Sequence, residues 1–123
     1  MDDVFCKIIK GELPANVICE TEDVICIMDA TPFNPGHVLI IPKRHYTTIL
    51  DMDEDIIGKV HVCAKMIMEK MIERYEDLES IKVVVNYGEE QKVKHYHMHL
   101  LPFYKDKKKP NITQEEYCEI LKK

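Results

Sequence analysis

Three of the six histidines in the chain stand at alternate positions, His95, His97 and His99, within Lys94-His95-Tyr96-His97-Met98-His99-Leu100-Leu101-Pro102. In an extended strand, alternate side chains share a face and lie about 6.5–7 Å apart. The pattern predicts three imidazoles on one face, backed by Tyr96, Met98 and Leu100 on an apolar one. Buried imidazoles need partners, because an unpaired polar group is costly away from water. Three chemistries would supply them. The rings can be satisfied structurally by backbone and side chains. They can ligate a metal, although no acidic or cysteine residue near them in the sequence completes a closed set. Or one neutral imidazole can attack phosphorus while its neighbours donate to phosphate oxygens.

The elements that must position these residues follow from hydrophobic spacing. Val4 to Ile9 is spaced like one or two helical turns and stops at the breaker cluster Lys10-Gly11-Glu12-Leu13-Pro14. Val17 to Cys19 and Val24 to Met28, with polar Glu20 to Asp23 between them, read as a hairpin. Thr31 to Gly36 is a turn-rich loop, and His37 to Ile41 a third strand closed by Pro42. Asp51 to Glu76 holds the long helix, its stripe running through Ile56, Val60, Cys63, Ile67 and Met71, with Asp53 as the expected N-cap. Ile81 to Tyr87 and Tyr96 to Tyr104 are the last strands. Thr113-Gln114-Glu115-Glu116 is a capping box announcing a C-terminal helix. Lys105 to Lys109 reads as a solvated linker. The order predicts an α+β fold, a five-stranded antiparallel sheet with one long and one or two short helices, in a single domain over 1–123.

Composition narrows the function classes. Apolar residues make up 46% and charged residues 32% of the chain, and 17 Lys and Arg stand against 22 Asp and Glu for a net charge of −5. That balance argues against nucleic acid as a partner. The five cysteines are scattered without a C-x-x-C pair, which reads as reduced thiols in a cytoplasmic protein. The acidic start Met1-Asp2-Asp3 lacks the apolar stretch of a signal peptide, and no run is long enough to cross a membrane.

His95-Tyr96-His97-Met98-His99-Leu100-Leu101 resembles the His-φ-His-φ-His-φ-φ signature (φ apolar) of the histidine triad (HIT) superfamily. Val4 to Ala15 resembles the opening of its Hint branch, and Pro35 to His45 matches a second block. With Asn86, Gly88 and Gln91, the likeness covers residues 4 to 104 and leaves a helical tail over 111–123. The resemblance implies hydrolysis or transfer of nucleoside monophosphates through a covalent nucleotidyl-histidine. It assigns His97 as nucleophile and His99 as phosphate-oxygen donor, with His95 and His37 behind them orienting the site. It also implies Asp29 on both ribose hydroxyls, Phe5, Ile8, Ile27 and Ala30 around a purine base, and Asn86 with the backbone of Glu90, Gln91 and Lys92 as a phosphate cradle. His45 and His61 read as surface histidines without a catalytic role.

The chain departs from the family pattern in places. Glu90 stands where Gly is usual, Lys92 where the Hint branch commonly has Ser near the leaving group, and the loop from Asn86 is shorter. Some members bind structural zinc through Cys-x-x-Cys and two histidines. Here Asp3 takes the first position and leaves Cys6 alone, so no cofactor is expected and zinc is not favoured. The expected reaction is cleavage of a nucleoside 5′-phosphoramidate or aminoacyl-nucleotide. A Fhit-like dinucleoside polyphosphate hydrolase and a purine-nucleotide-binding scaffold are the alternatives. The Hint likeness implies a homodimer through the long helix and a strand edge, and Ile67 and Met71 are expected on the exposed apolar face.

Overall fold

The computed structural model describes residues 3–123; Met1 and Asp2, part of the acidic start, lie outside the described residues. Strands β1 (Val17–Glu20), β2 (Val24–Met28), β3 (Val38–Pro42), β4 (Leu78–Val85) and β5 (Met98–Tyr104) form one antiparallel sheet. Its order is β1-β2-β3-β5-β4. Every residue of β2 and β3 is buried, as their continuous apolar sequence requires when both faces of a sheet are covered. Their alternation separates two cores. Cys26, Met28, Val38 and Ile40 pack with the helices α2 (Glu54–Arg74) and α3 (Gln114–Lys122), whereas Ile25, Ile27, Leu39 and Ile41 pack with Phe5 of α1 (Val4–Ile9).

The α+β expectation holds, and the differences are local. The last strand begins at Met98 rather than Tyr96. The Tyr96 N–H donates to the Tyr46 carbonyl at 2.6 Å, so the chain at His95 to His97 pairs with a loop and not with the sheet ladder. β4 starts at Leu78, directly after Asp77 turns the backbone with φ 61°. The long helix is shorter than Asp51 to Glu76, because Ile49–Asp51 is a separate 3₁₀ turn closed by a Thr48/Asp51 capping box. Asp53 takes the N-cap conformation, but its carboxylate accepts from the Tyr46 hydroxyl at 3.2 Å instead of from a helix N–H.

Ile67 and Met71 are fully buried in the larger core, which corrects their expected place on an exposed face. They lie on the stripe that packs on the sheet, and truncating either would cost about 2–5 kcal/mol. The exposed apolar residues of α2 are Val62, Met66 and Ile72. The Thr113 capping box forms as expected and starts α3. Between β2 and β3, Gly36 has φ +91°, and a Cβ there would stand 2.6 Å from Tyr75 Cε2 and 2.7 Å from the Tyr104 hydroxyl. Only glycine allows that approach, which seats the loop carrying His37 against α2 and β5. Among the described residues, no helix is long and apolar enough to cross a membrane.

Candidate active site

α1, the end of β2, the start of β5 and the first turn of α3 enclose a cleft of about 590 Å³. Phe5, Ile8, Ile27, Asp29, Ala30, Lys92, His97 and His99, all singled out from the sequence, line it. His37 and His95 stand behind it, 4% and 0% exposed. The three alternating histidines therefore do not share one open face. His97 and His99 do, with ring centroids 4.8 Å apart, whereas His95 precedes the strand and its ring packs against His45 at 4.9 Å.

Hydrogen-bond partners fix the tautomers. His97 Nδ1 lies 2.7 Å from the His95 carbonyl, which can only accept. The proton is on Nδ1, and Nε2 is left as the unprotonated nitrogen of a cleft-lining ring. The Phe33 N–H donates to His37 Nδ1 at 3.1 Å, so His37 carries its proton on Nε2, 2.9 Å from His99 Nδ1. His99 must then hold its own proton on Nε2, as a donor. Burial pushes all three imidazoles below the ordinary histidine range, His99 to about 4 with His97 and His37 adding to the effect. They are neutral at pH 7, the state that the tautomer chain needs and in which an imidazole nitrogen keeps its lone pair. Asp29 divides its work. Oδ1 accepts from the Thr31 N–H at 2.8 Å and caps a turn, and Oδ2 lies 3.4 Å from His37 Nε2.

A second cluster sits behind Phe5, whose ring meets both His95 and His97 edge-on, at 5.9 and 4.9 Å. His95 Nε2 donates to the Pro42 carbonyl at 2.8 Å, leaving the Nδ1 lone pair 3.2 Å from Asp3 Oδ2 and 3.5 Å from Cys6 Sγ. His45 Nδ1 lies 3.0 Å from the same Asp3 oxygen. One donor atom from each of Asp3, Cys6, His45 and His95 falls within 4.8 Å of the others. A ring lone pair facing a carboxylate repels it unless a proton or cation stands between them, and O, S, N, N is a donor set that suits zinc. The expectation of an incomplete ligand set, with His45 as a surface histidine, is thus corrected. Asp3 reaches the cluster because it caps α1, accepting from the Cys6 N–H through its other oxygen at 2.8 Å.

Of the residues expected to form a phosphate cradle, Asn86, Glu90, Gln91 and Lys92, the cleft is lined by Lys92. Its ammonium donates to the Glu89 carbonyl at 3.1 Å. Asn86 is half-buried after β4, Glu90 is exposed, and neither lines the cleft. Gln91 is buried and donates to the Thr47 carbonyl at 2.6 Å, its Oε1 without a partner among the described residues, so its side chain anchors the loop and does not line the cleft. Sequence reasoning missed Asn16, Val93 and Glu115 in the cleft wall. Val93 could have been found by continuity with Lys92. Glu115 carries no local signal, because only the packing of α3 brings it there.

Comparison with known proteins places the chain in a family. Adenylylsulfatase HINT3 of Arabidopsis thaliana is 36% identical over 104 residues, covering 82% of this chain and 52% of its own. Adenosine 5′-monophosphoramidase HNT1 of Saccharomyces cerevisiae is 35% identical over 101 residues, covering 80% of this chain and 61% of its own. The chain therefore spans between half and two thirds of the length of these two enzymes. A crystal structure of a zinc-bound histidine triad family protein from Mycobacterium smegmatis superposes with TM-score 0.88 at 29% identity, covering 99% of this chain and 91% of that one. Residues 10–106 match the HIT domain, and with that match over most of its length, the chain belongs to the histidine triad superfamily, with a likeness to its Hint members.

Proposed function

We propose that the protein is a nucleotide hydrolase that cleaves nucleoside 5′-phosphoramidates or aminoacyl-nucleotides to the nucleoside monophosphate. The observation that carries this reading is the His97 Nδ1–H held by the His95 carbonyl, which leaves Nε2 unprotonated on the cleft side. Nε2 attacks phosphorus, the bond from phosphorus to the amine breaks, and the amine leaves with a proton from solvent. Water then attacks the nucleotidyl-His97, returning the free imidazole and the monophosphate. His99 donates from Nε2 to a phosphate oxygen as charge builds there. Asp29 Oδ2 takes the ribose hydroxyls, and Phe5, Ile8, Ile27 and Ala30 wall a purine. A cleft of about 590 Å³ is within the usual range for a small ligand.

Zinc fits Asp3, Cys6, His45 and His95, and when bound it would tie the start of α1 to the chain on either side of the site. His97 and His99 act without it, so turnover needs no metal. The protein works in the cytoplasm as a homodimer through α2 and β4. The free edge of β4 and exposed Val83, Val85, Val62 and Ile72 support this. Light scattering at micromolar concentration should give twice the 14.5 kDa chain mass.

A product assay tests the reading, with adenosine 5′-phosphoramidate beside a diadenosine polyphosphate. Phosphoramidate should be the better substrate by kcat/KM. Lys92→Ser should raise its turnover and lower any polyphosphate cleavage, since an ammonium suits a departing phosphate better than an amine. Faster polyphosphate cleavage by the unmodified protein would support the Fhit-like alternative instead. Purine-nucleotide binding without turnover of either compound would mark a scaffold.

A further inference from the structure

α3 lies beyond residues 10–106, which match the HIT domain. Its first residue nevertheless reaches into the loop that carries two of the site's groups. The Gln114 Oε1 accepts from the Gly36 N–H at 2.6 Å, and Nε2 donates to the Asp29 carbonyl at 2.9 Å and the His37 carbonyl at 3.0 Å. One side chain thus supplies the acceptor that one backbone N–H needs and the donors that two carbonyls need. Among ionised or neutral side chains of this length only a primary amide does both: a carboxylate has no donor at neutral pH, and an ammonium has no acceptor.

The bonded groups are the two ends of the β2–β3 loop. The Asp29 N–H also donates to the His37 carbonyl at 3.0 Å, so Gln114 locks a junction that is already closed by the backbone. At that junction Asp29 Oδ2 stands 3.4 Å from His37 Nε2, and His37 in turn meets His99. Holding α3 in place does not depend on Gln114. Tyr117, Cys118 and Leu121 are buried in the core, and Lys70 and Arg74 donate to the Leu121 and Ile120 carbonyls.

We infer that Gln114 is a positioning residue: its amide clamps Asp29 and His37 in register, so that the carboxylate meets ribose while His37 orients His99. The ribose part rests on the nucleotide reading above; the clamp itself does not. The experiment compares wild type, Gln114→Met, Gln114→Glu and Asp29→Ala on adenosine 5′-phosphoramidate and its 2′,3′-dideoxy analogue. It also records ring ¹⁵N shifts of His37 and His99 in the unliganded proteins. Wild type should prefer the ribose substrate. Gln114→Met should lose about tenfold of that preference while melting within a few degrees of wild type. Gln114→Glu, the same shape with an acceptor in place of the donor that faces two carbonyls, should lose more. In both variants the His37 ring signals should move toward a mixed tautomer population, a change that mere docking of α3 would not produce. Adding Gln114→Met to Asp29→Ala should cost no further ribose preference. A folded Gln114→Met with wild-type preference and unmoved His37 signals would overturn the clamp. If Asp29→Ala itself keeps the ribose preference, the nucleotide assignment of Asp29 is what fails, and the His37 signals alone decide the clamp.

Discussion

His95 and His97 are two residues apart and both buried, yet they belong to regions with opposite chemistry. His97 gives its Nδ1 proton to a carbonyl and keeps a lone pair on Nε2 in the cleft wall. His95 gives its Nε2 proton to a carbonyl and keeps a lone pair on Nδ1, facing Asp3 and Cys6. In each case a backbone carbonyl chooses the tautomer, and the choice decides which side of Phe5 receives the nitrogen. A triad of like residues is thus not a triad of like surroundings. What stands opposite the free lone pair separates the nucleophile proposed at His97 from the zinc ligand proposed at His95.

The largest effect should come from breaking the cleft side. His97→Ala should lower phosphoramidate turnover by more than the ~10²–10³ that a lost phosphate-oxygen donor costs, with nucleotide binding retained. Calorimetry with the monophosphate product, run beside the rate assay, separates the two. Near-wild-type rates in this variant would remove the nucleotidyl-histidine mechanism and with it the contrast between the clusters.

The other side is broken through its weakest donor. A carboxylate in place of a thiolate makes the Asp3 cluster a poorer match to zinc than one with two sulfurs. Asp3→Cys should therefore raise zinc affinity at least tenfold in a chelator competition, and Cys6→Ser should lower it. Zinc should raise the melting temperature of Asp3→Cys more than that of wild type, as linkage to the folded state requires. Absence of zinc binding by wild type would show that the cluster is held by protons alone, and equal binding by Cys6→Ser would remove Cys6 from the ligand set. Wild-type turnover should be the same with chelator or with zinc.

Much of this was legible in the sequence. Apolar runs gave the strands, the Thr113 box gave the start of α3, and the alternating histidines marked the site. The misses share a cause. One-face logic for His95 assumed a strand through Tyr96, but the Tyr96 N–H is taken by Tyr46, a partner fifty residues away that no spacing reveals. Asp3 reads as an absent cysteine until its capping of α1 turns the second carboxylate oxygen toward His45. Ile67 and Met71 lie on the stripe that the sheet covers, and periodicity names a stripe without saying what covers it.

The two clusters should also differ, more modestly, in their response to pH. Burial, then the neighbouring His97 and His37, lower His99 to about 4 from an ordinary 6.5, although Asp29 opposes them. His97 and His37 are lowered as well, chiefly by burial. Between pH 6.5 and about 4 the unfolded chain binds protons there that the folded chain does not. Stability must therefore rise with pH across that window and be lost as pH falls. Asp3 moves in another window. Burial raises its carboxyl, but the Cys6 N–H and the nearby imidazoles outweigh burial and leave it below its ordinary 3.8. Its contribution is present above that value and is lost only as pH falls through the lowered one. Melting temperature followed from pH 7 to 3 should thus decline in two stages. His99→Asn should flatten the upper stage and spare the lower, and Asp3→Asn should do the reverse. The acid limb of kcat/KM should fall below the ordinary histidine range in wild type, because His97 stays neutral there. Parallel melting curves for wild type and His99→Asn between pH 6.5 and 4 would mean that the cleft imidazoles are not held neutral by the fold.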